Sequence, residues 1–284
     1  MNHSPVKYTD RLRRVLDLAI EEMNRNNQKS IRLEHILISF FEEKTGALAE
    51  ISLKVGVDLE SLRSIHFPND EETTIYHEQL QTTLTAGVQT VLEQAEKYMH
   101  RYNQIMINEG HVLKALLNDP MINSIFTEQQ KQLLLNLGTT ARDMITHLAD
   151  YNLPRDAHTQ QIRKAMKSDS DHLLSFIEKE FSSEWMRTIE SGMQDEHPSI
   201  FIAIDDAEKI IGFAAYDVYQ HKKCYFGPMG VAKRNRVKGI GYSLLHHCLK
   251  DMKEIGYEYA IIGGAGPMEF YEKACDAVVI PKKW

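Results

Sequence analysis

The chain carries an internal duplication. Its 284 residues match themselves at one offset, 76 positions, with no slip in register. Thr9 meets Thr85, Val15 meets Val91, Leu16 meets Leu92 and Ala19 meets Ala95. Met23, Arg25, Asn27 and Gln28 meet Met99, Arg101, Asn103 and Gln104, and Ile31, His35 and Leu37 meet Ile107, His111 and Leu113. A constant register of this kind marks a repeated structural unit. In the first copy Leu12, Val15, Leu16, Ala19, Ile20 and Met23 recur at steps of three and four, which predicts an amphipathic helix. Thr9 and Asp10 supply capping chemistry at its start. A second helix is expected from about Glu34, through Ile36, Leu37, Phe40 and Phe41, and Gly56 reads as a helix stop. A lone helix pair cannot bury its apolar stripe, so the two copies are expected to pack into one all-α unit. We place that unit at residues 1–150, with copies at about 8–63 and 84–147. The stretch His66 to Thr74, with Pro68, Asn69, Asp70, Glu71 and Glu72, reads as an exposed linker. A buried, hydrogen-bonded core role is the favoured reading of His35 and His111.

The pattern changes around Pro154, where residues 151–158 read as a linker. Beyond it, residues 159–284 predict a mixed α/β, or α+β, domain. Strands are expected at Gln161–Ala165, Ser199–Ile204, Lys209–Tyr216, Cys224–Val231, Tyr259–Ile262 and Ala277–Ile280. Helices are expected at Asp169–Phe181, Glu184–Met193, Gly239–Glu254 and Pro267–Ala274. Little sequence follows Ile280 for a full final hairpin, so the acceptor pocket is expected to be short or to be completed by a partner chain or by the first domain.

Composition narrows the functional classes. The chain is 43% hydrophobic and 26% charged, as a folded globular protein is. No run of about 18 apolar residues is present, so no membrane partner is expected. The polar stretch Met1 to Arg14 lacks the apolar centre of a signal peptide. Cys224, Cys248 and Cys275 share no close spacing, so neither a disulfide framework nor a metal site is expected, and the cytoplasm is the expected compartment. Residues 1–150 hold 15 Lys and Arg against 21 Asp and Glu, and residues 151–284 hold 18 against 19. With no basic excess in either half, nucleic acid is not an expected partner.

One dense basic run stands out: Lys233, Arg234, Arg236 and Lys238, followed by Gly239-Ile240-Gly241-Tyr242. It lies between a predicted strand and a predicted helix. The glycines keep side chains off the helix start, whose unpaired amides and positive dipole end then point outward. Arg236 and Lys238 add fixed charge, which makes an anion cradle matched to a pyrophosphate. A full G-x-G-x-x-G is absent, which disfavours a dinucleotide-binding reading.

Two resemblances follow from these residues. Tyr8-Thr9-Asp10-Arg11-Leu12 with Val15, Leu16, Ala19 and Glu22, then Glu34-His35-Ile36-Leu37 and Gly56-Val57-Asp58-Leu59, resemble the duplicated N-terminal repeat of Clp-family ATPases. The resemblance implies a module that binds Clp-related proteins, adaptors or clients. In the second copy Gly110 stands where the family's Glu would precede His111. No G-x-x-x-x-G-K-[ST] is present in the sequence, so no ATPase engine accompanies the repeats. In the second half, Arg236-Val237-Lys238-Gly239-Ile240-Gly241 resembles the [QR]-x-x-G-x-[GA] signature of GNAT-type N-acetyltransferases. Gly227-Pro228-Met229-Gly230-Val231 looks like their splayed fourth strand, and Phe270-Tyr271-Glu272-Lys273 like their F-Y-E-K segment.

The GNAT resemblance implies acetyl-CoA as co-substrate, bound between two parting strands. Its pantetheine would pair near Met229 and Val231, and its pyrophosphate would rest on the amides of Val237, Lys238, Gly239, Ile240, Gly241 and Tyr242. A backbone N–H near Gly230 or Val231 would polarise the thioester carbonyl. Tyr271 would protonate the leaving sulfur as the catalytic residue. The acceptor would be a primary amine, on a small molecule or a polypeptide. No base is singled out among Asp217, Glu184 and Glu269, and Tyr216, Tyr225 and His221 line either the acceptor side or the core. Gly263-Gly264 departs from the family, where an Asn is common. The alternative function is a non-catalytic adaptor of a Clp-type proteolytic system that retains only CoA binding. A homodimer is compatible with either.

Overall fold

In the computed structural model, which describes residues 6–65, 73–157, 161–236 and 239–283, the chain divides into two compact units. These are Met1–Ala141 with Pro281–Trp284, and Arg142–Ile280.

The first unit holds α1 (Asp10–Arg25), α2 (Leu33–Glu42), α3 (Gly46–Val55) and α4 (Leu59–Ser64). A short hairpin follows, β1 (Thr74–His77) and β2 (Thr82–Thr85), and then α5 (Ala86–Arg101), α6 (Glu109–Leu116), α7 (Pro120–Ile125) and α8 (Glu128–Gly138). Helices α1 and α5 start and end 76 residues apart, and α2 and α6 start 76 apart. Thr9 Oγ1 caps α1 by accepting from Leu12 N at 3.3 Å. Leu12, Val15, Leu16 and Ala19 are fully buried in the core that both copies share. Asn27 and Asn103 both turn the chain at positive φ, 53° and 54°, a conformation Asn tolerates better than most residues. Gly56 ends α3 at φ 64°, as its sequence position implied.

The copies are joined by reciprocal backbone pairing. Thr9 N donates to Ile107 O at 2.9 Å and Ile107 N to Lys7 O at 2.8 Å. Shifted by 76, Thr85 N donates to Ile31 O at 3.0 Å and Ile31 N to Thr83 O at 2.8 Å. Each copy thus completes the other, which explains why the repeat persists as a pair. The hairpin β1–β2 is a strand element inside the unit expected to be all helical. Of the stretch expected as a linker, residues 66–72 lie outside the described residues, and Thr74 already belongs to β1.

His35 and His111 are core residues. Arg32 N donates to His35 Nδ1 at 3.1 Å, and Asn108 N to His111 Nδ1 at 3.2 Å. Each imidazole closes the start of its own helix, and burial pulls both pKa values down to about 4. Gly110 has a packing reason: a Cβ there would lie 2.5 Å from Gly138 O, so no glutamate fits. The symmetry breaks at one buried pair. Arg11 Nη1 and Glu109 Oε1 are 2.9 Å apart, each side chain 4% exposed. Their counterparts 76 residues away are the uncharged Gly87 and Leu33, and a Cβ on Gly87 would lie 3.4 Å from Leu33 Cδ1.

The second unit is a seven-stranded sheet in the order β4-β5-β6-β7-β8-β3-β9. In chain order its elements are β3 (Arg142–His147), β4 (Ile162–Lys164), α9 (Ser170–Glu180), α10 (Ser183–Gly192), β5 (Ile200–Ile204), β6 (Ile210–Tyr216), β7 (Tyr225–Val231), α11 (Ile240–Glu254), β8 (Tyr259–Ala265), α12 (Met268–Cys275) and β9 (Val278–Val279). One face of the sheet carries α9 and α10, with Leu173, Ile177 and Ile189 buried against Ile200, Ile202 and Phe213. The other carries α11, whose Leu244, Leu245, Cys248, Leu249 and Met252 are fully buried.

Residues 142–147 correct the expected boundaries. Expected at the tail of the second repeat, within 1–150, they form β3, antiparallel to both β8 and β9. Their burial alternates, Arg142, Met144 and Thr146 inward, as a half-buried strand requires. Arg142 Nη2 donates to Ile280 O at 2.9 Å and Thr146 Oγ1 to Cys275 O at 2.5 Å. In the sheet β3 therefore lies between β8 and the two-residue strand β9. Of the expected linker 151–158, His158 lies outside the described residues, while Arg155–Ala157 form a 3₁₀ turn with Ala157 buried.

Candidate functional site

Among the described residues, β7 and β8 are the one parallel pair in the sheet, pairing at two positions, Tyr225↔Ile261 and Phe226↔Ile262. Beyond Phe226 they part. On its other side β7 stays paired with β6 up to Val231↔Gly212. Ala232 N donates to Ile211 O at 2.9 Å, which sets the phase of that ladder. In an antiparallel ladder successive residues alternate between pairing and facing away. Gly230, two residues before Ala232, therefore turns its amide toward β6, while Met229 and Val231 turn theirs toward the gap. Of the sequence candidates for polarising a carbonyl, Val231 faces the opening and Gly230 is engaged by the sheet.

Val231 O accepts from Arg236 Nε at 3.1 Å, which holds the half-buried guanidinium beside the gap. Burial draws the Arg236 pKa below its ordinary value, and Glu180 opposes the shift. Lys233 and Arg234 are exposed in a 3₁₀ turn. Val237 and Lys238 lie outside the described residues. Gly239 caps α11 with φ 73° and ψ 0°, and no side chain caps the helix. This is a left-handed conformation that glycine adopts without strain. A Cβ on Gly239 would meet nothing within 4 Å among the described residues. Ile240, Gly241 and Tyr242 supply the first-turn amides. The Tyr242 ring packs edge-on against His246, centroids 4.2 Å apart, and its hydroxyl donates to Asp156 at 3.3 Å. A Cβ on Gly241 would touch Val231 Cγ2 at 3.7 Å, so α11 starts against the last residue of β7.

Tyr271 stands on α12 at the point where the strands part. Its ring meets Phe226 edge-on at 6.3 Å, and Phe226 belongs to the last parallel pair. The side chain is 7% exposed, and its hydroxyl makes no hydrogen bond among the described residues. Burial, reinforced by Cys275, raises the phenol pKa, so the group stays protonated through the neutral range.

The remaining candidates separate. Tyr216 is buried and bonded to Asp251, a packing role. Asp217 accepts from Tyr257 Oη at 2.6 Å, and its Oδ1 is buried without a partner among the described residues. Glu269 pairs with Lys273 at 2.6 Å, and Glu184 is exposed. His221 is exposed, whereas Tyr225 stacks on Tyr219 at 5.4 Å and lies across Gly263. That contact explains Gly263: a Cβ there would fall inside the Tyr225 ring. Gly264 N is held by Asp143 Oδ1 at 2.8 Å. His246 is buried with Nδ1 2.5 Å from Tyr151 Oη, and His247 Nδ1 lies 2.8 Å from Ser243 O, so both are packing groups.

Sequence reasoning missed Phe181 and β3. The ring of Phe181, at the end of α9, lies on Gly230. Its place beside a glycine 49 residues later leaves no local signal.

Known structures resemble each half. The GCN5-related glucosamine N-acetyltransferase region of a fungal multi-domain GH3 β-N-acetylglucosaminidase is 15% identical, with a TM-score of 0.44 over 57% of this chain and 22% of that one. A GCN5-related N-acetyltransferase from Sphaerobacter thermophilus is 19% identical, with a TM-score of 0.41 over 54% of each chain. The Hsp104 N-terminal domain from Candida albicans is 17% identical, with a TM-score of 0.35 over 46% of this chain and 89% of that one. The chain thus spans about a fifth and about half of the first two. No curated protein matches it. Residues 7–129 match the family model of the Clp repeat (R) N-terminal domain, and residues 163–276 match that of the acetyltransferase (GNAT) family. One chain therefore joins a Clp N-terminal repeat domain to a GNAT-family domain.

Proposed function

We propose that the second unit moves the acetyl group of acetyl-CoA onto a primary amine, and that the helical repeats recruit a polypeptide client or a Clp-related partner to it. The observation that carries the reading is the gap between β7 and β8, with the Met229 and Val231 amides turned into it. The adjoining residues fit a CoA diphosphate and thioester. Gly239 starts α11 in the left-handed region with no side-chain cap among the described residues, and Arg236 is fixed at the same strand end. Bound acetyl-CoA supplies an acyl carbon already activated by its thioester.

The chain's own groups do the rest. The Ile240, Gly241 and Tyr242 amides and Arg236 hold the diphosphate. The amide of Met229 or Val231 donates to the thioester oxygen, and it donates more strongly as charge builds there. The neutral amine nitrogen bonds to the carbon as the carbon–sulfur bond breaks, Tyr271 gives its proton to the departing sulfur, and the proton shed by the nitrogen passes through water to restore the phenol. No cysteine nucleophile takes part in this direct transfer. Burial raises the Tyr271 pKa and keeps the phenol protonated at neutral pH.

The test is calorimetry of the full chain with acetyl-CoA and with CoA, followed by thiol release with a panel of polyamines, amino acids and lysine peptides. Uptake of acetyl-CoA and amine-dependent thiol release are expected. No heat with either ligand would remove the proposal, and uptake without release from any amine would support an adaptor instead. Deleting the repeats should impair polypeptide acceptors and spare small amines.

A further inference from the structure

We infer that Phe181 sets the size of the acyl group the site accepts, closing it beyond acetyl. The inference rests on the proposed seating of a thioester along β7.

The two faces of β7 at the gap differ. Val231 turns its side chain toward α11, touching the start of that helix near Gly241. Gly230 turns the opposite way, toward α9 and α10. A carrier whose diphosphate rests on α11 reaches the gap from the α11 face. Anything attached beyond its carbonyl carbon then leaves toward the Gly230 face.

That exit is closed by aromatic rings. A Cβ on Gly230 would lie 2.6 Å from Phe181 Cε1 and 2.9 Å from Cε2, with Cζ nearer still. The outer edge of the ring therefore rests on the backbone of β7 between Met229 and Val231. The ring is wedged in place. It stacks on Trp185 at 5.3 Å and meets Phe213 edge-on at 5.7 Å and Phe176 edge-on at 5.8 Å. Phe213 is the ladder partner of Gly230, so the cluster is built on the residue it covers. Rings from α9, α10 and β6 thus hold Phe181 against Gly230. A two-carbon acyl group ends before this wall, and each further methylene must displace packed aromatic surface.

A core-packing role alone would not discriminate by acyl length. The readout is calorimetric Kd for free CoA, acetyl-CoA, butanoyl-CoA and hexanoyl-CoA on the full chain, which needs no acceptor. One misfit methylene costs about 10–200-fold in a hydrophobic pocket. Wild type is expected to bind CoA and acetyl-CoA alike, and hexanoyl-CoA at least tenfold more weakly. Phe181→Ala should bring hexanoyl-CoA to within about threefold of acetyl-CoA, leaving free CoA unchanged. Phe181→Leu, which keeps more of the packing, should move butanoyl-CoA more than hexanoyl-CoA and serves if the alanine variant does not fold. Equal wild-type affinity for all chain lengths, or a length penalty unchanged in both variants, would overturn the role of Phe181 while leaving acetyl transfer standing. Failure of CoA itself to bind would overturn both.

Discussion

The buried Arg11–Glu109 pair offers a sharp test, because the duplication contains its own control. Both side chains are 4% exposed and their charged atoms lie 2.9 Å apart. Glu109→Leu removes the carboxylate paired with Arg11 Nη1, while the Thr45 hydroxyl, 3.0 Å from Arg11 Nε, and the nearby Glu43 carboxylate stay in place. Removing one partner of a buried pair costs about 3–5 kcal/mol, and the Glu43 carboxylate beside Arg11 holds the expected cost at the lower end, about 3 kcal/mol. The other copy shows what happens with no charge. There Gly87 faces Leu33, and a Cβ on Gly87 would sit 3.4 Å from Leu33 Cδ1, an ordinary contact. Arg11→Ala combined with Glu109→Leu recreates that arrangement. The double variant should therefore come within about 1–2 kcal/mol of wild type, since an apolar replacement of a buried pair is often neutral. Hydrogen exchange of α1 and α6 amides, read on peptides of the full chain, measures the cost in this unit alone. The single variant should exchange about a hundredfold faster, at about 1.4 kcal/mol per tenfold. A single variant within about 1 kcal/mol of wild type would refute the reasoning. So would a double variant no better than the single one.

Three further outcomes follow from the site and the core. Acetyl-CoA at a hundred times its Kd should stabilise wild type by about 2.7 kcal/mol, and Gly239→Glu should abolish the corresponding melting shift; a wild-type shift in the variant would dismiss the cradle. Tyr271→Phe should lower kcat by about a hundredfold or more with acetyl-CoA affinity unchanged, as loss of a proton donor does, whereas a loss confined to affinity would assign the ring to packing. His35 and His111 have folded pKa values of about 4 against an ordinary value near 6.5, so the unfolded chain binds protons first as pH falls. Their contribution is intact above pH ~6.5 and is lost between there and pH ~4, about 2 kcal/mol each at pH 5. Urea midpoints of wild type and of His35→Gln with His111→Gln across pH 7 to 5 should converge toward acid, and parallel profiles would contradict the assignment.

The sequence alone determined what depends on local periodicity and on repetition. The 76-residue offset, the stripe from Leu12 to Met23, the cap at Thr9 and the glycine turn before α11 each rest on residues near one another in the chain. Physical preferences for helix, cap and turn act over a few residues, so they are legible without a fold. Gly110 and Gly263 read as departures from a pattern until the structure showed Gly138 O and the Tyr225 ring filling their space. Only the tertiary structure decided which strand lies beside β8. The segment Arg142–His147 has a weak alternation that becomes a strand only when β8 and β9 supply partners for its amides and carbonyls. The ladder phase, which turns Val231 rather than Gly230 toward the gap, is likewise fixed by pairing with β6. Phe181 reaches Gly230 for the same reason: contacts between distant segments are chosen by how the whole core fills, and no short stretch of sequence records that choice.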